Sequence, residues 1–208
     1  KEISKKLFIK NKIKTPKFFT YSYDITKFNL IEKINKYLRF PVVIKPLNEG
    51  SSVNVYITSK KTLDKILYKL KVYKKVLIEE FIGGREIQVA IMGDKKLGAI
   101  ELKPKRKFYD YQAKYDSKSK TQHIIPVDLP KSKFNKVMDI AYKAHRIIGC
   151  RGVTRSDFKF FNGNFYLLEL NTQPGMTKLS LVPEIALYKG ISFLKLIEWM
   201  LKDASKKK

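Results

Sequence analysis

Apolar positions fall into three kinds of run along this chain, and their order predicts the architecture. Leu30, Ile31, Ile34, Tyr37 and Leu38 recur at helical spacing, as do Leu63, Ile66, Leu67 and Leu70 behind Ser59, which is expected to cap that helix. Val137, Ile140, Ala141, Ala144, Ile147 and Ile148 repeat the pattern and stop at Gly149, a residue suited to the left-handed position after a helix. Residues 181–187 and 193–201 predict two more helices. Short apolar runs of the second kind read as buried strands: 41–46, closed by Pro46, and 76–82, stopped by Gly83-Gly84. The third kind alternates polar with apolar residues over 86–92, and after Gly93-Asp94 the run 97–102 returns as its hairpin partner. Two further short strands flank Phe161-Asn162-Gly163-Asn164. Between residues 103 and 125 no period holds, and an unperiodic stretch of that length in a compact domain is more often a functional lid than filler.

Helices and strands thus alternate irregularly in two groups that meet near Gly83-Gly84. The expected fold class is α+β, with a central lobe over 1–82, a second lobe over 83–208, a lid loop at about 105–124, and a cleft between the lobes. Composition narrows the function classes. With 44% hydrophobic residues and only ten Gly and eight Pro in 208 residues, a disordered or low-complexity chain is excluded. No apolar run reaches the roughly 18 residues needed to cross a bilayer, and a lone cysteine, Cys150, closes no intramolecular disulfide. A soluble, cytoplasmic protein is expected. Lys+Arg exceed Asp+Glu by 44 to 19, a net charge of +25. The lysines are spread through every segment, so they describe a generally basic surface, with neither nucleic acid nor membrane as the expected partner.

The candidate chemistry lies in two places. Arg155-Ser156-Asp157 precedes the turn around Gly163, and Leu168-Glu169-Leu170-Asn171 follows it. A three-residue turn, Asn162-Gly163-Asn164, would set Asp157 opposite Glu169 and Arg155 opposite Asn171, with all four polar groups on one face; a two-residue turn would set Asp157 opposite Leu168 and send Glu169 to the other side. Two carboxylates and an amide oxygen converging among apolar neighbours suit a hard cation such as Mg²⁺ completed by phosphate oxygens. The competing reading is that Asp157 and Glu169 merely pair with Arg155 and nearby lysines. In the other lobe, Lys45 ends an apolar strand just before Asn48-Glu49-Gly50-Ser51-Ser52-Val53-Asn54, a loop whose N–H groups could hold a phosphate while the lysine reaches its oxygens. Backbone groups of 79–82 could meet a flat base, and Glu86 could accept from ribose hydroxyls. His123, placed in a loop, and His145, in a helix, show no acid–base partner.

These blocks, in order and with their spacing, resemble the D-alanine–D-alanine ligases of the ATP-grasp fold. The resemblance rests on Val43-Ile44-Lys45-Pro46 with Glu49-Gly50-Ser51-Ser52-Val53, on 76–82 with Arg85-Glu86, and on Phe108-Tyr109-Asp110-Tyr111 with Ala113-Lys114-Tyr115. It continues through Gly149-Cys150-Arg151-Gly152 with Arg155 and Asp157, through 166–172, and through Pro174-Gly175-Met176-Thr177 with Ser180-Leu181-Val182-Pro183. It implies that ATP phosphorylates the carboxylate of one D-alanine and that the amine of a second displaces phosphate, a step of peptidoglycan precursor synthesis. By position, Lys1, Lys45 and Lys114 would hold ATP phosphates, Glu79, Phe81 and Ile82 the adenine, and Glu86 the ribose; Phe108 and Leu168 join the ATP-binding set. Asp157, Glu169 and Asn171 would bind two Mg²⁺, with Mn²⁺ as a substitute. Arg155 and the Gly175 N–H would stabilise the oxyanion, Ser180 and Leu181 would receive the second substrate's carboxylate, and Tyr115 would hydrogen-bond Ser51 to lock the lid. Asn54 stands where glycine is usual in the family, and Asn tolerates a left-handed backbone best. The family's amino-terminal domain has no counterpart ahead of Lys1, so a longer intact protein, weak Mg-ATP binding and poor ligation by these 208 residues are expected, as is a homodimer of the intact form. Another ATP-grasp carboxylate–amine ligase and, more remotely, a basic nucleic-acid-binding protein are the alternatives.

Overall fold

Successive strand residues point to opposite faces of a sheet, and burial of the apolar faces under helices builds the molecule. The structure is a computed structural model that describes residues 1–24, 26–50, 52–103 and 121–206. The described elements are α1 (Glu2–Lys10), β1 (Phe18–Ser22), α2 (Lys27–Tyr37), β2 (Val42–Pro46), β3 (Tyr56–Thr58), α3 (Leu63–Leu70), β4 (Lys75–Glu80), β5 (Arg85–Met92), β6 (Lys95–Lys103), β7 (Gln122–Ile124), α4 (Lys131–Ile147), β8 (Val153–Phe161), β9 (Asn164–Asn171), α5 (Leu181–Tyr188) and α6 (Phe193–Ser205). They form two antiparallel sheets, in the orders β1-β4-β2-β3 and β7-β6-β5-β8-β9, so the class is α+β as expected.

In the first sheet Val42, Ile44, Val76 and Ile78 turn to α2 and α3 and bury with Leu30, Ile34, Leu63, Leu67 and Leu70. The opposite face, with Val43, Lys45 and Glu79, is left for the cleft. In the second sheet Ile87, Val89, Ile91, Phe158 and Leu167 pack under α4 through Val137, Ala141 and Ala144. On the reverse face Ala90, Met92, Ile100 and Val153 are covered by Val182, Ile185 and Leu196 of α5 and α6. That cover ends before Glu86, Asp157 and Glu169, which open onto the cleft.

Several local expectations are corrected. α1, β1, β3 and β7 carry too few periodic apolar residues to be predicted, and the first helix matters most: Phe8 and, just after it, Ile13 join the core of the second sheet. Ser59 caps nothing; Thr62 is the N-cap residue of α3, and its hydroxyl accepts from the Ser59 N–H at 3.1 Å. The run 76–82 stops being strand at Glu80. Asn54 does take the left-handed backbone, at φ 56°, and its amide donates to the Tyr73 hydroxyl at 2.7 Å.

The decisive correction is the β8–β9 turn. It has two residues, Asn162 and Gly163, at φ 47° and 72°, so Phe161 pairs with Asn164. An unbroken ladder from that turn would put Asp157 opposite Leu168. A β-bulge intervenes: Phe158 pairs with Leu167, Asp157 with Glu169, and Leu168 is the extra residue. The four polar groups therefore share a face, by a different route from the one expected, and the bulge sends both Leu168 and Glu169 into the cleft.

Two glycines mark turns where a side chain would cost differently. At Gly163 an added Cβ has only the tip of Lys133 at 3.7 Å, whereas at Gly84 (φ 83°) it would lie 2.3 Å from the Phe160 carbonyl oxygen. Gly163→Ala should cost about 1 kcal/mol, for the left-handed backbone alone. Gly84→Ala should cost at least twice that, and urea denaturation of the two variants would show equal losses if the Phe160 contact were unimportant.

Candidate active site

A cleft open to solvent runs between the free faces of the two sheets. Lys45 and Glu79 line it from the first sheet and Glu86, Asp157 and Glu169 from the second, with Lys1, Glu49 and Gly50 at its rim and Phe81, Ile82 and Leu168 as apolar wall.

Glu79 is the electrostatic centre. Its carboxylate is 3% exposed and lies between two buried ammonium groups, Lys45 at 2.5 Å and Lys5 at 2.9 Å. Burial favours the neutral acid, but the two lysines overcome it and hold Glu79 below the usual carboxylate range. Burial likewise opposes the charge on Lys45, and Glu79, Glu169 and Asp157 together push its pKa up. Lys1 is pushed down, by burial first and by the like charge of Lys45. Its ammonium donates to the carbonyls of Leu47 and Glu49, which ties the start of α1 to the loop after β2. Glu79, expected at the adenine, lines the cleft and is ion-paired with both Lys45 and Lys5.

Across the cleft, the Arg155 guanidinium grips Asp157 in a fork of 2.8 and 2.9 Å, and the Asn171 amide donates to the same carboxylate at 3.2 Å. The competing reading, an arginine partner, is thus realised for Asp157, while Glu169 faces the cleft near the lysines. Among the described residues no group of three or more His, Cys, Asp or Glu is placed to hold a metal. A cation here would have two carboxylates and one amide oxygen on one face, donors that suit a hard cation sharing phosphate oxygens, with Asp157 shared with Arg155. Glu86 is oriented by Lys159 at 3.0 Å and by the Gln88 amide at 3.2 Å.

Gly175 and Ser180 meet each other but do not line this cleft: a Cβ on Gly175 would touch the Ser180 hydroxyl at 3.0 Å. That hydroxyl accepts from the Thr177 N–H at 3.0 Å, and Ser180 opens α5 as its N-cap residue. The Leu181 side chain is buried in the second core, so only its backbone could serve a ligand. Ser51, Phe108, Lys114 and Tyr115 lie outside the described residues. His123 is in β7, not a loop, and its Nδ1 is 2.7 Å from Glu184; His145 bonds Thr154 at 2.8 Å. Both histidines have partners.

Sequence reasoning missed Lys5 and Lys159. Lys159 was findable, since it stands two residues from Asp157 on the same strand face. Lys5 lies one helical turn beyond Lys1, but only on a helix that the apolar pattern does not announce.

Glu79→Gln should leave two buried ammonium groups with a neutral partner and destabilise the fold by about 3 kcal/mol at pH 7. Because the folded pKa of Glu79 lies below the unfolded one, its contribution is complete above the unfolded value and is lost as pH falls through the folded one. Urea titrations should therefore show the gap between wild type and variant closing in acid, and a pH-independent gap would remove Glu79 from that role.

Comparisons with known proteins agree with this geometry. The family described as D-ala D-ala ligase C-terminus matches residues 8–202. A D-alanine–D-alanine ligase of Pelagibacter ubique is 69% identical over 205 residues, 99% of this chain and 67% of its own. One from Rhodospirillum rubrum is 44% identical over 166 residues, covering 79% of this chain and 55% of its own. The crystal structure of the Bacillus anthracis D-alanine–D-alanine ligase superposes with a TM-score of 0.84 at 32% identity, over 98% of this chain and 66% of that one. The chain thus spans between about half and two thirds of the length of these relatives. With two antiparallel sheets enclosing the cleft, the fold is ATP-grasp, and the chain belongs to the D-alanine–D-alanine ligase family as its C-terminal part.

Proposed function

We propose that this protein joins two D-alanines at the expense of ATP, through an acyl phosphate, for peptidoglycan precursor synthesis. One observation carries the reading: a register-fixed pair of carboxylates, Asp157 and Glu169, faces a buried lysine, Lys45, across a cleft with an apolar wall. A Bacillus anthracis relative has been crystallised with ATP, which supports ATP in this cleft. Phe81, Ile82 and Leu168 would flank the base, and Glu86, fixed by Lys159 and Gln88, would accept from the ribose. Lys1 and Lys45 would hold the phosphates, so that transfer to the first substrate's carboxylate is chiefly a matter of positioning and charge neutralisation.

Asp157, Glu169 and Asn171 would hold two Mg²⁺, or Mn²⁺ in their place, which supply positive charge to the phosphate oxygens. The second substrate's amine then attacks the acyl carbon and phosphate leaves, with Arg155 and the Gly175 N–H facing the oxyanion and with Ser180 and the Leu181 N–H receiving the carboxylate. Ser51, Lys114 and Tyr115 complete the proposal as lid contacts, with Phe108 beside the nucleotide. A homodimer acting in the cytoplasm belongs to the same reading. Among the described residues no helix is long and apolar enough to cross a membrane.

Lys45→Ala should weaken Mg-ATP binding to the chain about 10- to 100-fold by calorimetry; unchanged affinity would return Lys45 to a purely structural role. Glu169→Gln should lower D-alanine-stimulated phosphate release by about 100-fold or more, measured in a chimera that supplies the third of the Pelagibacter ubique relative outside the match. Stimulation of the unmutated chimera by other amino or hydroxy acids, with none by D-alanine, would point to a different carboxylate–amine ligase.

A further inference from the structure

The two halves of the cleft are held by different sheets, yet a chain of polar contacts joins them. Lys5, on α1 and 1% exposed, has only donors to offer. Its ammonium lies 2.9 Å from Glu79 as a buried ion pair with the carboxylate that also holds Lys45. One donor goes to the Thr15 hydroxyl at 2.7 Å. Because that oxygen receives from an ammonium, its own proton is left to donate, and it does so to the Leu167 carbonyl at 2.7 Å. The direction of both bonds at the Thr15 hydroxyl is thereby fixed. Leu167 is the last regular residue of β9 before the bulge that turns Leu168 and Glu169 into the cleft. The backbone on either side of Thr15 repeats the span: the Lys14 carbonyl accepts from the Leu167 N–H at 2.8 Å and the Lys17 carbonyl from the Glu80 N–H at 2.9 Å.

We propose that Thr15, through Lys5, is a positioning residue that sets the phosphate-side lysine of the first sheet and the bulged carboxylate strand of the second at one fixed separation. This rests on the reading of the cleft as a Mg-ATP site. Thr15 touches no ligand in it. The hydroxyl acts at both ends: it fixes the Lys5 ammonium that shares Glu79 with Lys45, and it anchors the strand at the residue where Glu169 is aimed.

Thr15→Val keeps the shape and removes the hydroxyl, while Thr15→Ser keeps the hydroxyl. Amide hydrogen exchange on the ligand-free chain should show Leu167 and Glu80, one on each sheet, exchanging about tenfold faster in Thr15→Val and near the wild-type rate in Thr15→Ser. Mg-ATP affinity by calorimetry should fall about 5- to 10-fold in Thr15→Val and recover in Thr15→Ser. If Thr15→Val does not fold, Thr15→Ala against Thr15→Ser makes the same comparison. Acceleration confined to one sheet, or equal losses in the Ser and Val variants, overturns the link. If the unmutated chain binds no Mg-ATP although both amides respond, the link stands and the reading of the cleft falls.

Discussion

A carboxylate shared by two buried lysines is the interaction on which this cleft depends. Glu79 could not remain charged at 3% exposure without Lys5 and Lys45, and neither lysine could keep its proton as deep without Glu79. Each partner makes the others tolerable, so the group is formed together or not at all. Its members come from α1, β2 and β4, which fixes the first helix against the first sheet while Phe8 and Ile13 bury in the core of the second. One short helix thus belongs to both lobes. The net charge of the triad is positive, and the carboxylates of Glu86, Asp157 and Glu169 line the same cleft from the second sheet.

The opposite wall follows from where helices stop. Along the cleft-side face of the second sheet, Met92, Ala90 and Val153 are apolar under α5 and α6, and Gln88, Asp157, Glu86 and Lys159 are polar beyond them. The same strands change character at the edge of their cover. Asp157 at the polar end is 4% exposed and is satisfied by Arg155 and Asn171 in place of water, and exposing the apolar end would forfeit the hydrophobic gain.

How much of this could be read from residues alone depended on the range of the interaction. The face-sharing of Asp157 and Glu169 was legible in outline, yet the reasoning ran through a three-residue turn that the chain does not make. A bulge at Leu168 compensates for the shorter turn, and a bulge has no signature in a run such as Tyr166-Leu167-Leu168-Glu169. Lys45 was legible from its place at the end of an apolar strand. Its partner Glu79 was read as a nucleotide contact and does line the cleft, but nothing near it in sequence announces its two ammonium partners, one of them from a helix 74 positions earlier.

By itself the sequence determined the strand faces, the main helices, the α+β class and the ordered blocks that identify the family, because these rest on short-range periodicity and fixed spacing. Only the tertiary structure decided which charges neutralise which: Asp157 with Arg155, Glu86 with Lys159, Glu79 with both Lys5 and Lys45. Coulombic partners are chosen by distance in space, and the distances here are set by two sheets and a helix packing together, a result no local pattern of residues encodes.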